Sequence, residues 1–264
     1  MKRLSGMMPP ILTLVASIFI WELGVRWAEI PSYTLPAPSL IFSTLLANWS
    51  SLADSWWFTL KVTFGALFLA CAGGILIASV FSLSPILERA LFPIAVVLQV
   101  TPIVAIAPLI LIYVDSTTAA LLLCAWIVAF FPILSNTVIG LRTIDRNLVD
   151  LFRLYRANPW QRLRLLRAPS ALPYFLAGLK ISGGLSLIGA VTAEMVAGAA
   201  GRETGLASRI LEASFRTETP KMFAALTLLV LTGVLIFMVF TALSRVLLAN
   251  WQSAEPILNP QHNP

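Results

Sequence analysis

The apolar positions of this chain come in long runs rather than in the short alternations of a half-buried sheet. Six stretches reach the roughly 20 residues that a helix needs to cross a bilayer: about Pro9–Ala28, Trp57–Phe81, Leu91–Val114, Thr117–Ile139, Leu172–Gly198 and Met222–Leu248. They predict an all-α integral membrane protein with six transmembrane helices. Together they occupy most of the 264 residues, so 1–264 reads as a single transmembrane domain with no room for a second, soluble one. No internal repeat and no low-complexity tract interrupts the pattern.

Between the fourth and fifth runs the period changes. Leu148, Leu151, Phe152 and Tyr155 recur at helical spacing and predict a short amphipathic helix. Asn158-Pro159 predicts its end, because proline disfavours helical geometry in the residue before it. Trp160 to Arg167 predicts a second short helix, stopped by Pro169 and Pro173. The segment 140–171 therefore reads as a surface lobe. Upstream, PSYTLPAPS (31–39) is too rich in proline for a helix, and Ser39 suits a helix cap. Leu40-Ile41, Leu45-Leu46, Trp49 and Leu52 then lay an apolar face on the bilayer, as a connector up to Trp57.

Composition agrees with the pattern. The chain is 58% hydrophobic and 11% charged, with a mean hydropathy of +0.88; soluble domains carry about 25% charge. Lys2 and Arg3 before ILTLVASIFI resemble a signal peptide, yet Glu22 and Arg26 stand where small residues should mark cleavage. The first run is read as an uncleaved span, its Glu22 and Arg26 paired four residues apart.

Charge placement gives orientation. Lysine and arginine collect on the cytoplasmic side. Lys2 and Arg3 put the N-terminus there. The lobe carries Arg142, Arg146, Arg153, Arg156, Arg162, Arg164 and Arg167 against Asp145 and Asp150. The connector after the fifth run is mixed, with Arg202, Glu203, Arg209, Glu212, Arg216, Glu218 and Lys221. Both termini and the lobe are thus expected in the cytoplasm. The net charge of +6 mostly reflects that lobe and implies no nucleic acid, since no soluble basic domain exists. Two readings of the arginines stay open: a topology signal alone, or a docking surface. Arginine without lysine in LFRLYRANPWQRLRLLRAPSALP (151–173) suits planar, multi-donor contacts to another protein.

Catalytic chemistry is not in evidence. There is no GxxxxGK[ST] phosphate loop; GLKISGG and GRETG do not match it. The one histidine is His262, and no histidine, cysteine and acid cluster has metal spacing. Cys71 and Cys124 lie within spans and read as small apolar filler. The chain is expected to be a transport subunit rather than an enzyme, with no metal.

Polar atoms inside the spans are the candidates for a solute path. Gln99 and Thr101 sit mid-span in LQVTPIVAIAPL, where Pro93, Pro102 and Pro108 bend the helix and free carbonyls. Gly178, Ser182, Ser186, Ala190 and Glu194 recur at spacing four. That stripe either packs helices closely or lines a pore; at a dimer axis it does both. Glu194 lies about 22 residues along its helix, or roughly 33 Å, which puts it near the outer mouth. There it pairs with an arginine of the connector or meets substrate; pairing is favoured. Lys61 and Lys180 are near enough to helix ends to snorkel.

DLFRLYRANPWQRLRLLRAPSALPYFLAGLKISGGLSLIGAVTAEM (150–195) resembles the cytoplasmic signature loop and following span of binding-protein-dependent ABC importer permeases. LPAPS (35–39), TPIVAIAPLILIYV (101–114) and FFPILSNTVIGLRTID (130–145) resemble the branch that imports nitrate, sulfonates, taurine, bicarbonate and pyrimidine-type compounds. The resemblance covers nearly the whole chain. It implies a type I importer permease fold in the bacterial cytoplasmic (inner) membrane, working as a homodimer by alternating access. It also implies two ABC ATPase subunits, which bind the ATP and magnesium, and a periplasmic or lipid-anchored solute-binding protein. The coupling contacts it implies are Asp150, Arg153, Tyr155, Arg156, Trp160, Arg162 and Arg164. The path residues would be Gln99, Thr101, Ser182, Ser186 and Glu194. The chain departs from the family's Glu-Ala-Ala, with Asp150, Leu151 and Phe152 in those places, and Arg156 stands where the family has glycine. Asn158-Pro159 is expected to supply the break that glycine would make. Few deep charges favour a neutral heterocycle of the pyrimidine or thiamine-precursor kind over nitrate, sulfonate or taurine. A channel or secondary transporter independent of ATP is the alternative of another class.

Overall fold

The computed structural model describes residues 8–202 and 205–252; Lys2, Arg3, Glu203 and His262 lie outside them. The described chain is helical throughout. Its elements are α1 (Met8–Trp27), α2 (Pro38–Ala47), α3 (Trp49–Leu83), α4 (Pro85–Val100), α5 (Ile103–Tyr113), α6 (Thr117–Arg142), α7 (Arg146–Leu154) and α8 (Pro159–Arg162). A π-helical turn over Leu163–Arg167 leads into α9 (Ala168–Ala199), followed by α10 (Leu206–Phe215) and α11 (Thr219–Gln252).

Four helical stretches are long and apolar enough to cross a membrane: Trp49–Leu83, Thr117–Arg142, Pro159–Ala199 and Thr219–Ala249. The pair α4–α5 makes a fifth if it is one broken span. Helix α1 occupies the place of the expected first span, so the expectation of six is compatible with the structure. The third span is not the continuous bent helix that was expected. It breaks at Thr101-Pro102, where Thr101 is extended (φ −66°, ψ 123°) as a residue before proline tends to be. Pro93 and Pro108 stay inside their helices.

Two further expectations are corrected. Pro169 and Pro173 do not stop the helix that starts at Pro159, which runs on to Ala199. The ring of Pro169 would collide with the carbonyl four residues back in a regular helix. The π turn immediately before it widens the backbone, with Ala168 N–H bonding to the Leu163 carbonyl. Ser39 is also not the cap of α2. Ala37 holds that position, Pro38 follows at the first helical position, and Glu22 accepts the Ser39 N–H at 3.0 Å and its hydroxyl at 2.8 Å. The Glu22–Arg26 pair forms as expected, at 2.6 Å, and so also anchors α2.

The chain divides into two compact units whose boundary cuts α3, α6, α9 and α11. One comprises residues up to Val62, Ile103–Cys124 and Ala190–Thr232. Here Trp56 Nε1 donates to Thr232 Oγ1 at 2.8 Å, tying α3 to α11. The other comprises Thr63–Pro102, Ala125–Gly189 and the chain from Gly233. Its core packs Phe81, Phe130, Ile133, Leu134 and Leu176 among alanines. Within it α6 and α9 approach closely. A Cβ on Gly178 would meet the Pro132 carbonyl at 2.7 Å, and one on Gly189 would meet Ala125 Cα at 2.9 Å. Lys180 is half-buried, with its ammonium 4.2 Å from the Phe237 ring centroid, a cation–π contact.

Candidate functional site

The lobe at 146–165 is built to be self-sufficient. Asp145 caps α7, accepting the Asn147 N–H at 2.9 Å. At the other end Ala157 N–H bonds to the Phe152 carbonyl (3.0 Å) and Arg156 N–H to the Arg153 carbonyl (2.9 Å). This is a Schellman ending, which needs a left-handed residue between cap and exit. Arg156 is that residue, with φ +51°. The sequence reading assigned the break to Asn158-Pro159 alone. The structure places a positive-φ residue, Arg156, before that dipeptide, in a conformation that glycine adopts without strain. Asn158 and Gln161 then close a capping box on α8, through bonds of 2.7 and 2.8 Å.

Because the caps satisfy the backbone, the side chains are left to face outward. Leu154 and Tyr155 are each 80% exposed, Trp160 65% and Leu165 62%. Leu151, Phe152, Tyr155, Ala157, Gln161 and Leu165 line a groove of about 260 Å³. The expected apolar face of α7 therefore exists, but its larger side chains are not buried in this chain. Arg153 pairs with Asp150 at 3.2 Å, both well exposed, and Arg162 Nε donates to the Ala157 carbonyl at 2.9 Å. Arg156 and Arg164 are exposed. Exposed guanidiniums (Arg156, Arg164) and exposed large apolar side chains thus occur together on this short lobe, which is the composition of a protein-binding patch.

The candidate path residues are placed differently. Ser182 and Ser186 are fully buried. Ser182 Oγ donates to the Ala129 carbonyl of α6 at 2.6 Å, and Ser186 Oγ to the Gly183 carbonyl at 3.0 Å. In the single chain both hydroxyls thus donate to backbone carbonyls, Ser182 across to α6 and Ser186 within α9. Thr101 Oγ1 is spent on the Val97 carbonyl at 2.7 Å, whereas Gln99 is exposed.

Glu194 is fully buried, and the favoured arginine partner is not there among the described residues. Its Oε2 instead accepts the Ala207 N–H and the Thr59 hydroxyl, both at 3.1 Å. Thr59 Oγ1 accepts the Leu206 N–H at 3.0 Å, and Ser208 Oγ donates to the Glu194 carbonyl at 3.1 Å. Residues from α3 and α9 therefore cap the first turn of α10, whose N-terminal amides favour a negative charge. A Cβ at Gly205 would overlap both Glu194 Oε1 and Thr59 Oγ1, so only glycine lets the chain enter the helix here. Sequence reasoning missed Thr59 and Gly205; the one signal was an acid placed in an apolar span.

The family described as binding-protein-dependent transport system inner membrane component matches residues 70–250. The riboflavin transport system permease protein RibX of Chloroflexus aurantiacus is 33% identical over 92% of this chain and 89% of that protein. The formylaminopyrimidine transport permease protein ThiX of Halalkalibacterium halodurans is 31% identical over 94% and 98%. Among solved structures, the methionine ABC transporter MetNI in inward facing conformations superposes with a TM-score of 0.62 at 21% identity, over 74% of this chain and 95% of that one. That last likeness concerns the fold. The chain belongs to the binding-protein-dependent transport system inner membrane components, and is the multi-pass permease subunit of an ABC importer.

Proposed function

We propose that two copies of this chain form the translocation path of an importer in the bacterial cytoplasmic membrane, with both termini and the 140–171 lobe inside the cell. The lobe docks onto two separate ATPase subunits, which bind and hydrolyse ATP with magnesium, and a solute-binding protein delivers cargo from outside. The observation that carries this reading is the exposed strip of Leu151, Leu154, Tyr155, Trp160 and Leu165, flanked by Asp150, Arg153, Arg156, Arg162 and Arg164. A topology signal needs only charge; it does not need bulky apolar groups held in water by a capped, self-supporting pair of helices. The lobe moves as a lever, biasing the spans between two access states.

The cargo is a small neutral heterocycle. Riboflavin and formylaminopyrimidine, named for two relatives, are heterocycles, and the polar groups inside the described spans are mostly hydroxyls spent on backbone carbonyls. Gln99 is the side-chain amide left exposed for a solute. Glu194 shapes the path indirectly, by fixing α10.

Native mass spectrometry of the tagged chain, gently extracted from its own membrane, tests the reading. Two copies carrying two nucleotide-binding chains are expected, and co-purified small molecules would name the cargo. The triple replacement of Arg153, Arg156 and Arg162 by alanine should leave insertion intact and abolish that association. A bare chain or bare dimer across several mild detergents would sink the proposal.

A further inference from the structure

A second concave feature shares Arg153 and Arg162 with the proposed docking surface and adds Arg142 and Arg167, which that surface does not include. A cavity of about 410 Å³ is lined by Arg142, Arg153, Arg162 and Arg167 against a single carboxylate, Glu88. Its remaining wall is apolar, from Phe81, Leu141 and Leu166. Glu88 is already taken by Arg142. Arg167 gives one bond to the Ser82 carbonyl, Arg162 one to Ala157 and Arg153 one to Asp150. A guanidinium has five N–H donors, so among the described residues most donors around the cavity are unspent. Arg142 and Arg153 are paired with acids, which leaves Arg162 and Arg167 as the cations at the cavity with no acid partner among the described residues. A pair of guanidiniums in that state makes a site for an anion, and their planar forks match phosphate oxygens.

The position of the cavity says how that phosphate arrives. It opens where α3 ends, α4 begins and α6 ends. On the same elements Leu83, Ile86 and Ile139 are exposed, Ile86 by 80%. Those side chains belong in hydrocarbon, so the mouth sits at the level where lipid headgroups begin. Resting on the proposed placement of the lobe at the cytoplasmic face, we infer that this cavity binds the phosphate of an anionic phospholipid. The acyl chains lie along Leu83 and Ile86, and the headgroup bridges the α3–α4 turn to the lobe.

The test is lipid retention by the full-length chain in native mass spectrometry. It needs no ATPase, so it can fail without touching the docking proposal, and the reverse holds. Wild type is expected to retain phosphatidylglycerol in preference to phosphatidylcholine. R162Q/R167Q should lose at least about tenfold of that retention, while R89Q, which removes an exposed cation of the same turn outside the cavity, should keep it. R167Q alone should show a partial loss if the double variant does not fold. Equal retention in R162Q/R167Q and wild type, or no preference over phosphatidylcholine, overturns the inference. Displacement of the lipid by millimolar inorganic phosphate would reassign the site to a soluble anion. Release of the lipid on ATPase binding would reassign it to the partner interface.

Discussion

The lobe at 146–165 and the joint around Glu194 treat polar groups in opposite ways. In the lobe, helix ends are satisfied from within by Asp145, Asn158 and Gln161, and large apolar side chains face outward. In the joint, the first amides of α10 are satisfied from elsewhere, by Thr59 on α3 and Glu194 on α9, and every participant is buried. The first arrangement can lose its exposed groups and still fold, so those groups exist for something outside the chain. The second cannot lose its acid without stranding amides away from water. One region is shaped for a partner and the other for the fold, although both are short helices in connectors rich in charge.

The comparison breaks most visibly at the lobe's surface. L154D/Y155D/W160D should reduce co-purification of the ATPase at least about 100-fold, because buried aromatic anchors dominate interfaces. The same triple should leave insertion and the thermal midpoint of the detergent-solubilised chain almost unchanged, since these side chains pack against little of their own protein. An equal fall in stability would mean that the strip belongs to the fold after all.

Glu194→Ala should do the reverse. It strands the Ala207 amide and opens a gap beside Thr59, a loss of about 2–4 kcal/mol. Glu194→Gln keeps the volume and one acceptor and should cost about half as much. Thermal unfolding of each variant beside an ATPase pull-down separates the effects: stability should drop while the residual folded protein still binds. If Glu194→Ala abolishes transport with stability intact, the acid touches cargo and is not a cap.

What the sequence revealed of these regions follows from how local their physics is. The lobe was legible because Leu148, Leu151, Phe152 and Tyr155 encode a face within two turns, and Asn158-Pro159 marks a boundary by itself. The spans were legible because apolar length is a local property. The joint was not: Glu194 and Thr59 are 135 positions apart, and nothing near either announces the other. Ser182 and Ser186 share a period that serves a pore and a seam equally well, and the Ala129 carbonyl opposite Ser182 lies 53 positions away, out of reach of any local pattern. Pro169 misled for a related reason. A proline stops a helix unless the turn before it widens, and that widening has no clear sequence mark.

Arg156 offers a subtler test within the lobe. A left-handed backbone costs a side-chain-bearing residue about 1 kcal/mol that glycine does not pay. Arg156→Gly should therefore raise the stability of the lobe by about that amount, seen as slower amide exchange through Leu151–Ala157. If ATPase association then falls, the guanidinium itself makes contact. If association holds, the arginine is tolerated in the turn and contributes nothing to docking.

The smallest effect is expected on α10, where a second acid is half-buried and ion-paired rather than enclosed in the joint. The Glu212 carboxyl accepts a bond from Arg209 at 2.7 Å and lies 2.9 Å from Arg216. The Arg209 bond, partly opposed by burial, holds its pKa below the ordinary 4.5, with the charges of Arg209, Arg216 and Lys221 adding to the depression. A depressed carboxylate stabilises the folded state above its unfolded value, and that contribution fades as pH falls from 4.5 through the folded value. Wild type should exceed Glu212→Gln in stability at neutral pH by at most about 1 kcal/mol, since pairs that solvent still reaches are screened. The gap should close below 4.5, and high salt should narrow it at any pH. A gap that persists in acid would show that Glu212 holds α10 by shape rather than by charge, and would bring this half-buried acid closer to the fully buried one than its ion pairs imply.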